Sequence, residues 1–429
     1  MRKQVASIRE YREFLSIGET VVSEILPNGL TIYVIPKPGF TKSYAFFATN
    51  YGGADRRFQL GGKWLDTPAG IAHFLEHKLF DTPDGGNALA DLAAHGASPN
   101  AFTSSEITAY HFSSADHFQE NLKTLLEFVS VPYFTEESVR KEQGIIGQEI
   151  RMIEDSPGSV LYYNFLKALY KNHPMRDTVA GTVESIAEIT AQTLYDCHKV
   201  FYNPANMVLC VAGDQDPAAV FRLAEEVLPK DGGEIPVKDY GKPEARAPFQ
   251  EKVEAKMAVS IPVFLAGTKV LTPLSDYLET SLAGELAMSY IGGKSSPLYA
   301  RLYADGLITS EMDAETDVGR SFAYAAFSAE TREPERVIDE IKKEIAQIRK
   351  DGLDHKRLEQ VKRAAMGGVI RSLNSFENIC YNQAEAYFAG SDYFKRYDTL
   401  QNMESDAVFK FIQNHMHPED FGASIIYPV

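Results

Sequence analysis

Three cysteines in 429 residues, Cys197, Cys210 and Cys380, are too few and too scattered for a disulfide framework. No CxxC pair occurs, so a cysteine zinc knuckle is not supported and a reducing compartment is expected. Basic residues are outnumbered, 43 Lys and Arg against 59 Asp and Glu. The resulting formal charge of -16 argues against a nucleic acid partner, whose phosphates need a basic surface. An acidic surface favours cationic substrates instead. Long apolar runs are also lacking. None approaches a membrane span, and the opening MRKQVASIREYREFLSIGE has neither a signal-peptide core nor the acid-poor composition of a transit peptide. No membrane segment is expected, and a cytoplasmic location follows. Tryptophan is nearly absent; Trp64, with the many tyrosines and phenylalanines, is read as core and interior lining.

What is present is an ordinary globular composition, 44% hydrophobic and 24% charged, over a length that calls for two or three domains. The charged lead reads as a helix. Two β-prone runs then flank Pro27-Asn28-Gly29 as a hairpin. Strands and amphipathic helices follow, among them the apolar strand Met207-Val-Leu-Cys-Val-Ala-Gly213. Residues 229–248, rich in glycine, proline and charge, have the composition of a linker. The second half replays the first: Pro204 aligns with Pro418, an offset of 418 − 204 = 214, and Glu142-Gln143 with Glu359-Gln360, an offset of 359 − 142 = 217. A duplicated α+β domain of somewhat over 200 residues is expected. Its parts are 1–228, a linker at 229–248, and 249–429.

One short stretch carries chemistry. In His73-Phe-Leu-Glu76-His77, read as helix, the two imidazoles lie one turn apart and converge on a single ion. Glu76 sits on nearly the same face, placed to take a proton from an activated water. The order His-x-x-Glu-His is the inverted form of the commoner zinc-protease motif. Five residues also match by chance, and two histidines hold zinc poorly; a catalytic zinc usually has three protein ligands. Glu149 is the candidate third ligand, on a downstream helix where Gly144 and Gly147 would permit close approach. Glu142, seven residues earlier on the same face, could orient a ligand. Position alone leaves open that both glutamates are solvated helix charges. An offset of about 210 from the motif lands on Ala283-Gly-Glu-Leu-Ala287, so the second copy lacks it. His95 and His111 read as surface or packing residues.

Together, His73 to His77, the Gly96-Ala-Ser-Pro-Asn100-Ala101-Phe102-Thr103 segment, and Glu142 with Glu149 resemble the pitrilysin family (M16) of zinc metallopeptidases, across essentially the whole chain. The length is most similar to short bacterial, processing-peptidase-like members. The resemblance implies two homologous LuxS/MPP-like domains, each an antiparallel sheet with helices packed on it, enclosing a chamber. It implies Zn2+ held by His73, His77 and Glu149, with Glu76 as general base and Glu142 as a supporting catalytic carboxylate. A peptide substrate would add as a strand along Asn100, Ala101, Phe102 and Thr103. Family members also use an Arg and a Tyr from the second half. Arg301 matches the arginine, but Ile308 stands where the tyrosine belongs, and Arg320 and Tyr324 have a different spacing. A paralogous partner subunit supplying the pair is therefore expected, with a homodimer as the alternative.

Overall fold

The computed structural model describes residues 8–83, 85–272, 274 and 276–429. Its first strands are β1 (Ile8–Phe14), β2 (Glu19–Ile25), β3 (Thr31–Pro36), β4 (Ser43–Thr49), β5 (Arg57–Leu60), β6 (Lys63–Asp66), β7 (Ser98–Thr103), β8 (Thr108–Ser114) and β9 (Met207–Gly213). Seven of them form a sheet in the order β1-β2-β3-β9-β4-β8-β7, and β5 with β6 forms a separate hairpin. The sheet centre follows from composition. Strands β4 and β9 are buried at every position, as near-continuous apolar runs require when both faces are covered. Pro27-Asn28-Gly29 does turn β2 into β3, with Gly29 at φ 89°.

The second sheet contains β10 (Lys252–Met257), β11 (Val263–Lys269), β12 (Asp313–Val318), β13 (Ala323–Glu330) and β14 (Gly422–Pro428), in the order β10-β14-β11-β13-β12. This order repeats β3-β9-β4-β8-β7 strand for strand. In both, the first pair is parallel and the remaining pairs are antiparallel. The chain is thus two domains of mixed α and β structure built on one topology, with β1 and β2 added to the first.

Two compact units result, and neither is contiguous in sequence: residues 1–150, 178–240 and 372–394 make one, and 151–177, 241–371 and 395–429 the other. Each half lends the other unit one helix. In the first unit, Ile379, Cys380 and Ala384 of helix Phe376–Phe388 join Phe46, Ala48, Val208 and Cys210 in one buried cluster. In the second, Phe165, Leu166 and Leu169 of helix Pro157–Leu169 join Leu265, Tyr324 and Ile426. Both helices have 13 residues, and 376 − 157 = 219 is close to the offset of the repeat. The buried Lys269 amine donates to the carbonyls of Leu169 and Ala247 (2.5 and 2.7 Å), capping the end of the lent helix.

The 229–248 segment is tied down at its middle and near its C-terminal end. In the first unit, Lys238 and Tyr240 both bond the buried Asp55 carboxylate at 2.8 Å. In the second, Glu244 accepts the backbone N–H groups of Lys171, Asn172 and His173. Two sequence expectations are corrected. The lead is not helical where it is described: residues 8–14 form β1, paired with β2 and tied to it by Arg9–Glu24 at 2.6 Å. Trp64 is not core; it is 42% exposed on the β5–β6 hairpin, under the Arg57 guanidinium. The three cysteines are free and buried. No helix among the described residues is long and apolar enough to cross a membrane.

Candidate metal centre

The His-x-x-Glu-His stretch forms helix Ile71–Lys78. It starts at Gly70, whose φ of 92° suits only glycine, and a Cβ there would lie 2.5 Å from the carbonyl oxygen of Ala180. Gly181 answers in kind: its Cβ would lie 2.4 Å from the Ala69 oxygen. Backbone-to-backbone contact thus fixes where the motif helix begins. Helix Glu136–Asp155 carries Glu142 and Glu149. It is held by Gln143, which donates to the carbonyls of Ile186 and Ile189, and by Glu136, which accepts the Ala191 N–H. The expected role of Gly144 and Gly147 is wrong. A Cβ at either would meet nothing within 4 Å, so these glycines are not what lets the helices meet.

His73, His77 and Glu149 come together, with one candidate ligand atom each within 4.8 Å of the others. The Nε2 atoms of His73 and His77 face the two oxygens of Glu149 at 3.4 and 3.6 Å. Both distances are long for hydrogen bonds but match the ~3.4 Å edge of a tetrahedron whose metal–ligand bonds are about 2.1 Å. His77 Nδ1 lies 3.0 Å from Glu142 Oε1. A proton held on Nδ1 by that carboxylate leaves the Nε2 lone pair for an ion. Three carboxylates around two imidazoles add a surplus of negative charge that a divalent cation would neutralise. The donor set therefore fits a zinc ion. One atom lacks support: His73 Nδ1 is buried with no hydrogen-bond partner among the described residues.

Glu76 is buried on the same helix and accepts a 2.6 Å bond from Thr103 Oγ1. Burial raises its pKa above the usual carboxylate value, against the opposing pull of Thr103 and the histidines. Burial also works to raise Glu142, but its bond to His77 and the nearby Lys78 amine outweigh it and the net shift is down. Glu149 is lowered chiefly by its contact with His73, against burial. His77 is pulled down by burial and up by Glu142 and the other carboxylates, with a net rise. Lys78, 2% exposed, neutralises part of this charge through Asp81 and, at 3.9 Å, Glu142. Sequence reasoning missed Lys78, Asp81 and the Thr103 hydroxyl as partners of the centre. A lysine directly after the motif was a readable signal; the other two depend on folding.

Of the expected substrate residues, Asn100, Ala101 and Phe102 lie on β7, the outer strand of its sheet. Phe102 turns toward Phe46 and Tyr381, on the face covered by helix Phe376–Phe388. Alternation puts Asn100 on that same face, opposite the one on which Thr103 meets Glu76. Arg301, in the second unit, is half exposed and bonds Glu344 at 2.6 Å. Ile308 is 2% exposed in the second core, and Tyr324, at 2%, is spent on the packing of the lent helix. The second unit's helix Tyr277–Gly292 contacts β12 as the motif helix contacts β7, yet contains no histidine.

Fold and site together define a duplicated α+β protein with one group of histidines and a glutamate placed so that it could hold a metal ion, in its first copy alone among the described residues. Residues 62–183 match the family described as insulinase (peptidase family M16), and residues 188–365 match the peptidase M16 inactive domain. The chain belongs to the M16 peptidase family. It is 38% identical over 413 residues to the uncharacterized zinc protease YmfH of Bacillus subtilis, covering 94% of this chain and 96% of that one. Among solved structures, an M16-like peptidase from Alicyclobacillus acidocaldarius superposes with a TM-score of 0.89 at 30% identity, over the full length of both chains. A protease from Helicobacter pylori shares the fold at a TM-score of 0.79 and 20% identity, covering 99% of this chain and 100% of that one.

Proposed function

We propose that this chain is a zinc-dependent endopeptidase acting on extended or unfolded peptide segments, and that it is the metal-bearing subunit of a heterodimer. The observation that carries this reading is the opposition of both histidine Nε2 atoms to the two oxygens of Glu149, with the Glu76 carboxylate on the same short helix. His73, His77 and Glu149 would hold the ion. Zinc, when bound, supplies Lewis acidity, polarising a carbonyl and making water easier to deprotonate. Glu76 takes the proton of the attacking water and returns it to the departing amine, work suited to a carboxylate whose pKa burial has raised. Glu142 acts through His77, fixing its ring and tautomer. The outer edge of β7 holds the peptide extended by main-chain bonds, which tolerates varied side chains.

The heterodimer follows from what the second unit offers. Its Arg301 is engaged by Glu344, and Ile308 fills a core position where a substrate-contacting tyrosine is expected. A paralogous subunit supplies that pair. Three buried free thiols and the acidic surface support a cytoplasmic protease that favours cationic peptides. The test is zinc content and cleavage of a cationic peptide library by the chain with and without its paralogue. Wild type with partner should cleave, chelation should abolish cleavage, and Glu76→Gln should keep the metal while turnover falls below detection. Normal turnover by Glu76→Gln would refute the base; cleavage at ordinary rates by the isolated chain would refute the need for a partner.

A further inference from the structure

The hydroxyl of Thr103 and its main chain point in different directions, and each meets something that matters. Just past the end of β7, Ser104 N–H donates to the carbonyl of Ile107 at 2.8 Å while Ile107 N–H bonds the Ser104 hydroxyl, so the 104–107 position that closes the hairpin faces inward. Bonded and non-bonded pairs alternate along an antiparallel ladder. With Thr103 opposite Thr108 and Ala101 opposite Tyr110, residues 103 and 101 fall in the non-bonded pairs. Their N–H and C=O groups therefore point away from β8, toward the side where β7 has no strand neighbour among the described residues. Pro99, the next outward position, has no N–H. The Ala101 N–H meets the side-chain oxygen of its neighbour Asn100 at 2.9 Å. Thr103 is thus the outward rung nearest the motif helix. Its side chain meanwhile donates to Glu76 Oε2 at 2.6 Å, and its methyl-bearing carbon leaves it one preferred rotamer set in a strand.

We propose that Thr103 is the positioning residue of Glu76, and that it couples the docking of a peptide strand on β7 to the aim of that carboxylate. A peptide pairing with the Thr103 main chain stiffens the end of β7. The stiffened residue then holds, through one hydroxyl bond, the carboxylate that must face the scissile bond. The coupling to peptide rests on the proposed peptidase reading, whereas the positioning of Glu76 by Thr103 does not, and the test separates the two.

The informative variants are Thr103→Val, which keeps the shape and removes the donor, and Thr103→Ser, which keeps the donor. Zinc content, steady-state cleavage with the partner present, peptide binding in a Glu76→Gln background, and the crystallographic position of Glu76 are measured for each. Thr103→Val should retain zinc and bind peptide within about twofold of its parent. Its kcat should drop by about ten- to a hundredfold with little change in KM, as expected when a proton-transfer group is misplaced by about 1 Å. Its Glu76 carboxylate should be displaced, and Thr103→Ser should recover most of the loss. Equal impairment of the Val and Ser variants, zinc loss in the Val variant, or an unmoved Glu76 would overturn the proposal. If the wild type cleaves nothing while Glu76 still moves in Thr103→Val, the positioning stands and the peptidase reading falls.

Discussion

His77 shows how a single side chain is committed to its task from both ends of its ring. Nδ1 is occupied by Glu142 at 3.0 Å and Nε2 looks at Glu149 at 3.6 Å. His73 has the second contact without the first. The support is therefore lopsided, and Glu142 carries more than its place away from the ion would suggest. Glu142→Gln keeps the size but weakens the acceptor. Zinc affinity should fall by about ten- to a hundredfold, measured by competition with a chromophoric chelator, while binding of a peptide to β7 is unchanged. The pair of histidines and Glu76 was legible from five letters, because helical spacing alone puts them on one face. From spacing alone Glu142 and Glu149 were two carboxylates two turns apart, and their roles at the centre came from the family resemblance. What made them partners is a meeting of distant helices, set by bonds from Gln143 and Glu136 to the 186–191 segment that local sequence does not announce.

At the level of elements, turn chemistry and burial runs spoke clearly. Pro27-Asn28-Gly29 turned a hairpin, and the Met207–Gly213 run became a central strand. The opening residues did not, because IREYREF has a charged composition that a helix accommodates as well. Pairing decided it: Arg9 against Glu24 and Tyr11 against Val22 give that strand its partners. The exchange of helices was illegible for a deeper reason. Helices Pro157–Leu169 and Phe376–Phe388 are each amphipathic enough to cover a sheet, and nothing local says which sheet. A fragment of residues 1–250 keeps every strand of the first sheet but lacks the helix that covers Phe46, Val208 and Cys210. Uncovering several such side chains costs about 1.5–3 kcal/mol each. The fragment should bind a hydrophobic dye and aggregate, and co-expression with residues 251–429 should suppress both, read by light scattering and by recovery of a soluble two-chain species.

Across the whole molecule, acid sensitivity follows from buried neutral histidine. His198, 7% exposed, donates from Nε2 to the Val129 carbonyl and stacks on Tyr202. Burial lowers its pKa from 6.5 to about 4. Between these values the unfolded chain binds the proton and the folded chain does not. The contribution of His198 is therefore complete above pH 6.5, declines as pH falls toward 4, and changes no further below that. The shift corresponds to on the order of 3 kcal/mol. His415, lowered to about 4 by burial and by Arg246 and His417, titrates in the same window. Urea unfolding at a series of pH values should show the decline, and His198→Phe should reduce its slope without abolishing it; an unchanged slope would assign the acid sensitivity to other groups.

The reciprocal loan of helices also constrains how the protein can be made. A ribosome delivers the strands of the first sheet by residue 213, yet the helix that closes one of its faces is not translated until residue 388. During that interval the nascent chain presents an uncovered apolar surface, while β10 to β13, strands of the same topology whose partner β14 comes last at 422–428, emerge after it. Strand swapping between the two copies is the evident hazard, and a holding chaperone during synthesis is the evident remedy.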